Sequence, residues 1–451
     1  MSTSYVPYHP EQQQLLPPAL QDWLPQGHLV YFISDTVDSL DLSAFHARYA
    51  RGGPRNQPLH PAMMVKVLVY AYATGVFSSR KIAKKLHEDI AFRVLGADNF
   101  PAHRTIRDFR AQHLVEFTEL FTQVVRLARE MGLVKLGTIA VDGTKVKANA
   151  SRHKAMSYAR MQSTEAELKA QIAALLHKAA HTDEAEKNEP DLDIPAELER
   201  RQARLAAIVA AKARLQERQA QADTQRGRSQ GDERKPRDKE GKPKGGRPYK
   251  RDFGIPEPKA QSSFTDPDSR IMKRAGGGFD YSYNAQTAVD ESHHIIVAAE
   301  VVNSSTDVQQ LPMVLDAVQT HTGAQPAQVL ADAGYRSEAV MAKLAQTHPD
   351  TELVIALGRE GRTRAAPKDA KRYPHTVAMA AKLETEQSQG DYRKRKWIAE
   401  PPNGWIKNVL GFRQFSMRGL EKAKAEFKLV CMALNLRRMG AMGLREGEMR
   451  G

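Results

Sequence analysis

Three acidic residues stand out by what surrounds them. Asp142 closes the apolar start of "LGTIAVDGTKVKANAS", residues 136–151, after which lysines and asparagine take over. Asp332 ends a second apolar run, in "VLADAGY", just ahead of a glycine that allows a tight exit. Glu400 stands in "WIAEPPNGWIK", with Lys407 seven positions on and Arg413 and Arg418 beyond it. Ligands of open α/β sheets sit at strand ends, so two carboxylates placed there can meet across neighbouring strands. Like carboxylates in contact do not both stay ionised without a cation. Magnesium suits such a pair, because it takes oxygen ligands, keeps several waters and bridges to phosphates. A third acid would complete a two-metal site, and Glu400 is the candidate. Glu421 and Glu426 are its rivals, but Lys422, Lys424 and Lys428 lie at helical spacing from them and account for them as ion-pair partners.

Other chemistries are weaker. His293 and His294 are adjacent, and in a strand they point to opposite faces, so they do not chelate together. Cys431 is the single cysteine, which excludes an internal disulfide and every cysteine-rich zinc pattern. Asp307, in "NSSTDVQQL", could line the site of the other acids, although capping the following helix also accounts for it. Trp397 and Trp405 flank Glu400, where stacking on a base and packing in the core are both open. Lys145 and Lys147 alternate with Val146, so both face one side of an extended chain.

The elements that must carry these residues belong to a chain of 451 residues, enough for two or three domains. At 41% hydrophobic and 27% charged it reads as globular with polar insertions. No apolar run is long enough to span a bilayer, and "MSTSYVPYHPEQQQLLPP" lacks the layout of a secretory signal, so a cytoplasmic location is expected. The net charge of +14 favours a polyanion such as nucleic acid. It is concentrated: residues 225–251 hold eleven Lys/Arg against four Asp/Glu, and residues 391–451 hold fourteen against six.

Five zones follow from the pattern. Residues 1–28 are a Pro/Gln-rich flexible lead. Residues 29–135 are helical, with "HPAMMVKVLVYAYATG", "SSRKIAKKLHEDIAFRVLG" and "HRTIRDFRAQHLVEFTELFTQVVRLAREMG" each showing helical periodicity; this is a helix-turn-helix-like, all-α unit whose Arg80, Lys81, Lys84, Lys85, Arg104, Arg107 and Arg110 could reach phosphates. Residues 151–263 are an insertion: an antiparallel helical hairpin, its seam marked by Leu198, Leu205, Ile208 and Leu215 and interrupted by Arg201 and Lys212, then a basic tract too polar to order itself. Residues 136–150 and 264–440 alternate strand and helix and form a mixed β-sheet with flanking helices. A flexible tail, 441–451, closes the chain.

These motifs resemble those of a DDE-type transposase of a bacterial insertion sequence, in the group with a helical amino-terminal domain and a catalytic domain similar to ribonuclease H. "VDGTKVKANAS" resembles the first-aspartate motif, "YNAQTAVD" the second strand and "VLADAGYRS" the second-aspartate motif. Glu400 and Lys407 resemble the end of the group's tyrosine, arginine, glutamate and lysine signature; Tyr392 lies one residue further from Glu400 than that signature has it, and Lys396 stands where it has arginine. The resemblance implies two divalent ions, Mg2+ with Mn2+ as a substitute, held by Asp142, Asp332 and Glu400. It implies DNA contacts from Lys145, Lys147, Arg336, Lys407, Arg413 and Arg418, terminal inverted repeats and target DNA as partners, and a homodimer in the DNA complex. The expected activity is strand cleavage and strand transfer. A catalytically inactive DNA-binding or architectural derivative and a nuclease without strand transfer remain the alternatives.

Overall fold

The computed structural model describes residues 19–49, 58–151, 153–182, 194–230, 249–274, 276–358 and 369–450. Most of the lead 1–28 and the basic residues 231–248 lie outside them.

Among the described residues the amino-terminal part holds seven α-helices: α1 (Leu29–Ser39), α2 (Ser43–Ala47), α3 (Pro61–Ala73), α4 (Ser79–Glu88), α5 (Ile90–Gly96), α6 (His103–Gln112) and α7 (Leu114–Glu130). Pro61 opens α3, where its missing N–H costs nothing. "PAMMVKVLVYAYA" is apolar around nearly its whole circumference, so α3 is enclosed. The periodic stretch from His103 to Glu130, expected as one helix, breaks at His113, whose buried ring packs between Phe45 and Phe109. Arg110, read from the sequence as a phosphate contact, is instead 4% exposed and donates to Tyr72 Oη (2.6 Å) and the Phe77 carbonyl.

The sheet is built from β1 (Thr138–Lys147), β4 (Arg270–Lys273), β5 (Phe279–Asp290), β6 (Ile296–Val302), β7 (Gln328–Ala331) and β8 (Glu352–Ile355). Between β1 and β4 run β2 (Ala155–Ser157), α8 (Tyr158–Thr182), α9 (Ile194–Gln225) and β3 (Gln261–Ser263). β6, β5, β1, β7 and β8 lie side by side in that order, with β4 extending the β6 edge of β5. β1 is antiparallel to β5 and parallel to β7, which is parallel to β8. The parallel neighbours need crossovers, and α10 (Leu311–Thr322) and α11 (Glu338–Thr347) supply helices for them. α12 (Pro374–Leu383), α13 (Glu386–Gly404) and α14 (Leu420–Arg450) follow, α14 continuing as far as Arg450 into the span that the sequence suggested as a tail. Its length is explained by what it covers: residues such as Phe427, Val430, Leu434 and Met439 are buried, and α14 packs on β6, α3 and α7.

One contiguous core therefore runs from Val30 to Met439 and joins the amino-terminal helices to the sheet. The insertion has its own small core of Tyr158, Met161, Leu168, Ile208, Ala211 and Leu215. Lys212, which interrupts the apolar seam, is satisfied there by Glu165 at 2.6 Å across the hairpin. The start of the basic tract is anchored: Arg228 is buried against Asp223 and over the Tyr249 ring.

Candidate active site

Asp142 is not at a strand end, as its sequence context suggested. β1 continues to Lys147 because β5 keeps pairing with it, through Lys147↔Ser282. What ends near Asp142 is the other ladder: β1 and β7 pair in parallel as far as Val141↔Ala331. The next residues are Asp142 and Asp332, so the register sets them side by side. Asp332 caps the short turn Ala333–Tyr335 and accepts from Gly334 N at 2.8 Å.

Alternation along β1 divides the neighbourhood into two faces. Asp142 and Thr144 face α13: Asn403 Nδ2 donates to Asp142 Oδ2 (3.1 Å) and to Thr287 Oγ1 (3.3 Å), Arg395 Nη1 lies 3.7 Å from Asp142 Oδ1, and Lys407 Nζ donates to Thr144 Oγ1. Lys407 stands in a π-turn, Trp405–Val409, that follows two prolines inside α13, Pro401 and Pro402. Such turns arise where the ordinary helical ladder is interrupted, and prolines interrupt it by removing N–H donors. On the other face, Lys145 Nζ lies 3.4 Å from Asp307 Oδ1.

The electrostatics follow from this geometry. Burial pushes the Asp142 carboxyl up to about 6; Arg395 opposes that and the Asp332 charge adds to it. Burial lowers Lys145 and Lys407, and Asp142 pulls both the other way. Tyr335 is raised far above its ordinary range, by burial first and then by Asp307, Asp142 and Asp332.

Adjacent carboxylates, one of them reluctant to ionise, are a donor set that a hard divalent cation relieves. Asp142 and Asp332 fit such an ion. Glu400 is exposed on α13, next to buried Ala399, and among the described residues no three His, Cys, Asp or Glu side chains converge as a metal cluster. Of the rivals, Glu421 pairs with Lys424 as expected, whereas Glu426 is buried and joins a network with Tyr72 Oη (2.9 Å), Arg110 and Ser416 N (2.9 Å).

The remaining cations are spread around this centre. Arg336 donates to the Leu357 carbonyl at 2.9 Å. Arg413 and Arg418 are exposed on the loop after the π-turn, bonded to the Lys407 and Asn149 carbonyls respectively. That loop is stitched to the end of β1, since Lys147 N donates to Arg413 O and Phe415 N to Lys147 O. The sequence reading missed Arg395 and Asn403. Arg395 had a signal, since Tyr392 and Arg395 carry the tyrosine-to-arginine spacing intact; counting back from Glu400 pointed to Lys396 instead, which is exposed whereas Arg395 is buried.

A mixed sheet in this order, with a carboxylate pair beside its parallel ladder and a helix laid across it, defines a ribonuclease-H-like enzyme core. Residues 252–436 match the family model described as a transposase DDE domain, and residues 18–112 match a transposase domain (DUF772). The chain belongs to the DDE-type transposases of bacterial insertion sequences. The first match contains Asp332 and Glu400; Asp142 lies in neither span. No curated protein and no solved structure matches the chain. Among the described residues no helix is long and apolar enough to cross a membrane.

Proposed function

We propose that this transposase binds the terminal inverted repeats of its insertion sequence and catalyses metal-dependent cleavage of the DNA strand followed by strand transfer. The observation that carries the reading is the β1–β7 register, which sets Asp142 beside Asp332 under α13 and the π-turn that follows it, which bring Arg395, Asn403 and Lys407 to the same face. Asp142 and Asp332, with Glu400 as the third ligand, would hold two magnesium ions, for which manganese can substitute. When bound, such ions activate water or a DNA 3′-hydroxyl and stabilise both oxygens of an in-line displacement at phosphorus.

The chain's own residues have separate tasks. Asn403 and Arg395 orient Asp142 and hold its charge in place before DNA arrives. Lys407, bonded to Thr144 on the face of Asp142, and Lys145, held by Asp307 on the other face, receive the phosphates next to the cut. Arg413, Arg418, Lys147 and Arg336 extend that basic surface along the backbone. The helices of residues 29–135 contribute the end-binding surface, with α4 offering Arg80, Lys81, Lys84 and Lys85. Two ends must be held together, so the working form is a homodimer on DNA.

The test is incubation of the purified protein with DNA carrying the element's ends and magnesium. Cleavage at the end, and joining of the freed 3′-hydroxyl to a second duplex, are expected. Binding without cleavage would replace this reading by an inactive DNA-binding derivative, and cleavage without joining by a nuclease.

A further inference from the structure

We propose that Asp307 is a positioning residue for the Asp142–Asp332 pair, acting through the glycines that follow the two aspartates and through Lys145. This rests on the catalytic reading above and assigns a task to a residue outside its acidic set.

Asp307 follows β6 in the sequence, and its side chain does not cap α10; only its carbonyl is used there, by Gln310 N at 3.0 Å. The carboxylate is 21% exposed and turns to the sheet instead. Its Oδ1 accepts from Asn284 Nδ2 at 2.6 Å and from Gln286 Nε2 at 2.7 Å, and Lys145 Nζ stands 3.4 Å away. Gln286 Oε1 in turn accepts from Tyr335 Oη, in the turn that leaves Asp332. One carboxylate thus links the loop after β6 with β5, with β1 and, through Gln286, with the exit of β7.

The approach is tightest at Gly143, where a Cβ would force the Asp307 or Gln286 side chain to move. A Cβ at Gly143, the residue after Asp142, would stand 2.5 Å from Asp307 Oδ1 and 2.7 Å from Gln286 Nε2. A Cβ at Gly334, whose N–H donates to Asp332 Oδ1, would stand 2.8 Å from Asp332 Oδ1 and 3.5 Å from Asp307 Oδ2. The side chain is therefore packed on the backbone at Gly143, next to Asp142, and comes within van der Waals reach of the site at Gly334, two residues past Asp332. A partly buried carboxylate with several donors is fixed in orientation, because losing any of them would leave a desolvated polar group unmatched. Through these contacts Asp307 fixes where the two metal-facing carboxylates sit, and it holds Lys145 beside them.

Two measurements test this with Asp307→Ala and Asp307→Asn. The first is the magnesium midpoint for end cleavage, expected to rise about tenfold in Asp307→Ala, as for outer-shell partners of metal ligands. Asp307→Asn, which keeps the acceptor and loses the charge, should lie between it and the wild type. A change that merely lowered the folded fraction would reduce the yield and leave the midpoint in place. The second is metal-free binding to end DNA against salt: releasing Lys145 from its acidic partner should steepen the salt dependence by up to about one phosphate contact in both variants. Unchanged midpoint and unchanged slope in Asp307→Asn overturn the inference while wild-type cleavage keeps the catalytic reading standing. A wild type that fails to cut overturns that reading, and the binding measurement then decides the role of Asp307 alone.

Discussion

Asp142 and Asp332 occupy the step just past Val141 and Ala331, the last pair of the parallel β1–β7 ladder. Their proximity is a property of backbone register, fixed by apolar residues on both strands: Ile139, Ala140, Val141, Val329, Leu330 and Ala331 are all fully buried. A one-residue slip would turn these side chains to the wrong faces, so the carboxylates are placed by the core.

Asp142→Asn and Asp332→Asn should each suppress end cleavage by more than the about 10- to 100-fold typical of losing an outer-shell partner of a metal ligand. Binding to end DNA in a gel-shift assay should stay intact. Retained cutting by either variant would remove that aspartate from the chemistry.

Asn403→Ala removes a donor from Asp142 and Thr287 together. Its expected cost is about 10- to 100-fold in cleavage at low magnesium, partly recovered at high magnesium. Arg395→Ala should behave similarly in cleavage. A loss that magnesium does not relieve would assign Asn403 to DNA contact in place of carboxylate orientation.

Glu400→Gln and Glu426→Gln should fail in different ways. Glu400 is exposed, so its substitution should abolish cleavage and leave the melting temperature unchanged. Glu426 is buried on Arg110, Tyr72 and Ser416, and breaking a buried charged network costs on the order of 3 kcal/mol, so its substitution should lower the melting temperature by several degrees. Normal cleavage by Glu400→Gln would send the search for a third acid elsewhere.

The sheet elements and the two aspartates were legible because apolar runs, turn residues and a recurring acidic ending are local signals. Where they meet was not, since the length of β1 depends on β5, a partner more than a hundred residues away. Arg110 and Glu426 show the same limit: each reads as surface charge at helical spacing, and only the packing of α6 and α14 around Tyr72 buries them as a pair. The break at His113 was also hidden, because the periodicity of α6 continues into α7 while the burial of one imidazole turns the chain.

Acid should weaken the junction between the amino-terminal helices and the sheet. His321 is buried with its ring edge-on to Phe121 and Nδ1 on the Val297 carbonyl, and burial, with Lys428 and Arg126 adding, pushes it down to about 4. Unfolded, the ring titrates near its ordinary value of about 6.5, so the unfolded chain binds more protons between these values and stability falls with pH. The contribution is fully present above about 6.5 and is lost progressively as the pH is lowered toward 4, on the order of 3 kcal/mol. Urea midpoints at pH 7 and pH 5 should converge in His321→Gln relative to the wild type; an identical pH dependence would exclude this histidine as the source.

The ribbon of β2 and β3 pairs Ala155 with Ser263, and Phe264 N bonds Lys154 O at 2.9 Å, so the chain leaves and returns through one narrow doorway. More than a hundred residues hang from that doorway, and their small core is separate from the main one. A tight turn between Lys154 and Phe264 would span the same gap, which makes this the place where the chain can lengthen, shorten or accept a grafted module while the catalytic sheet keeps its shape.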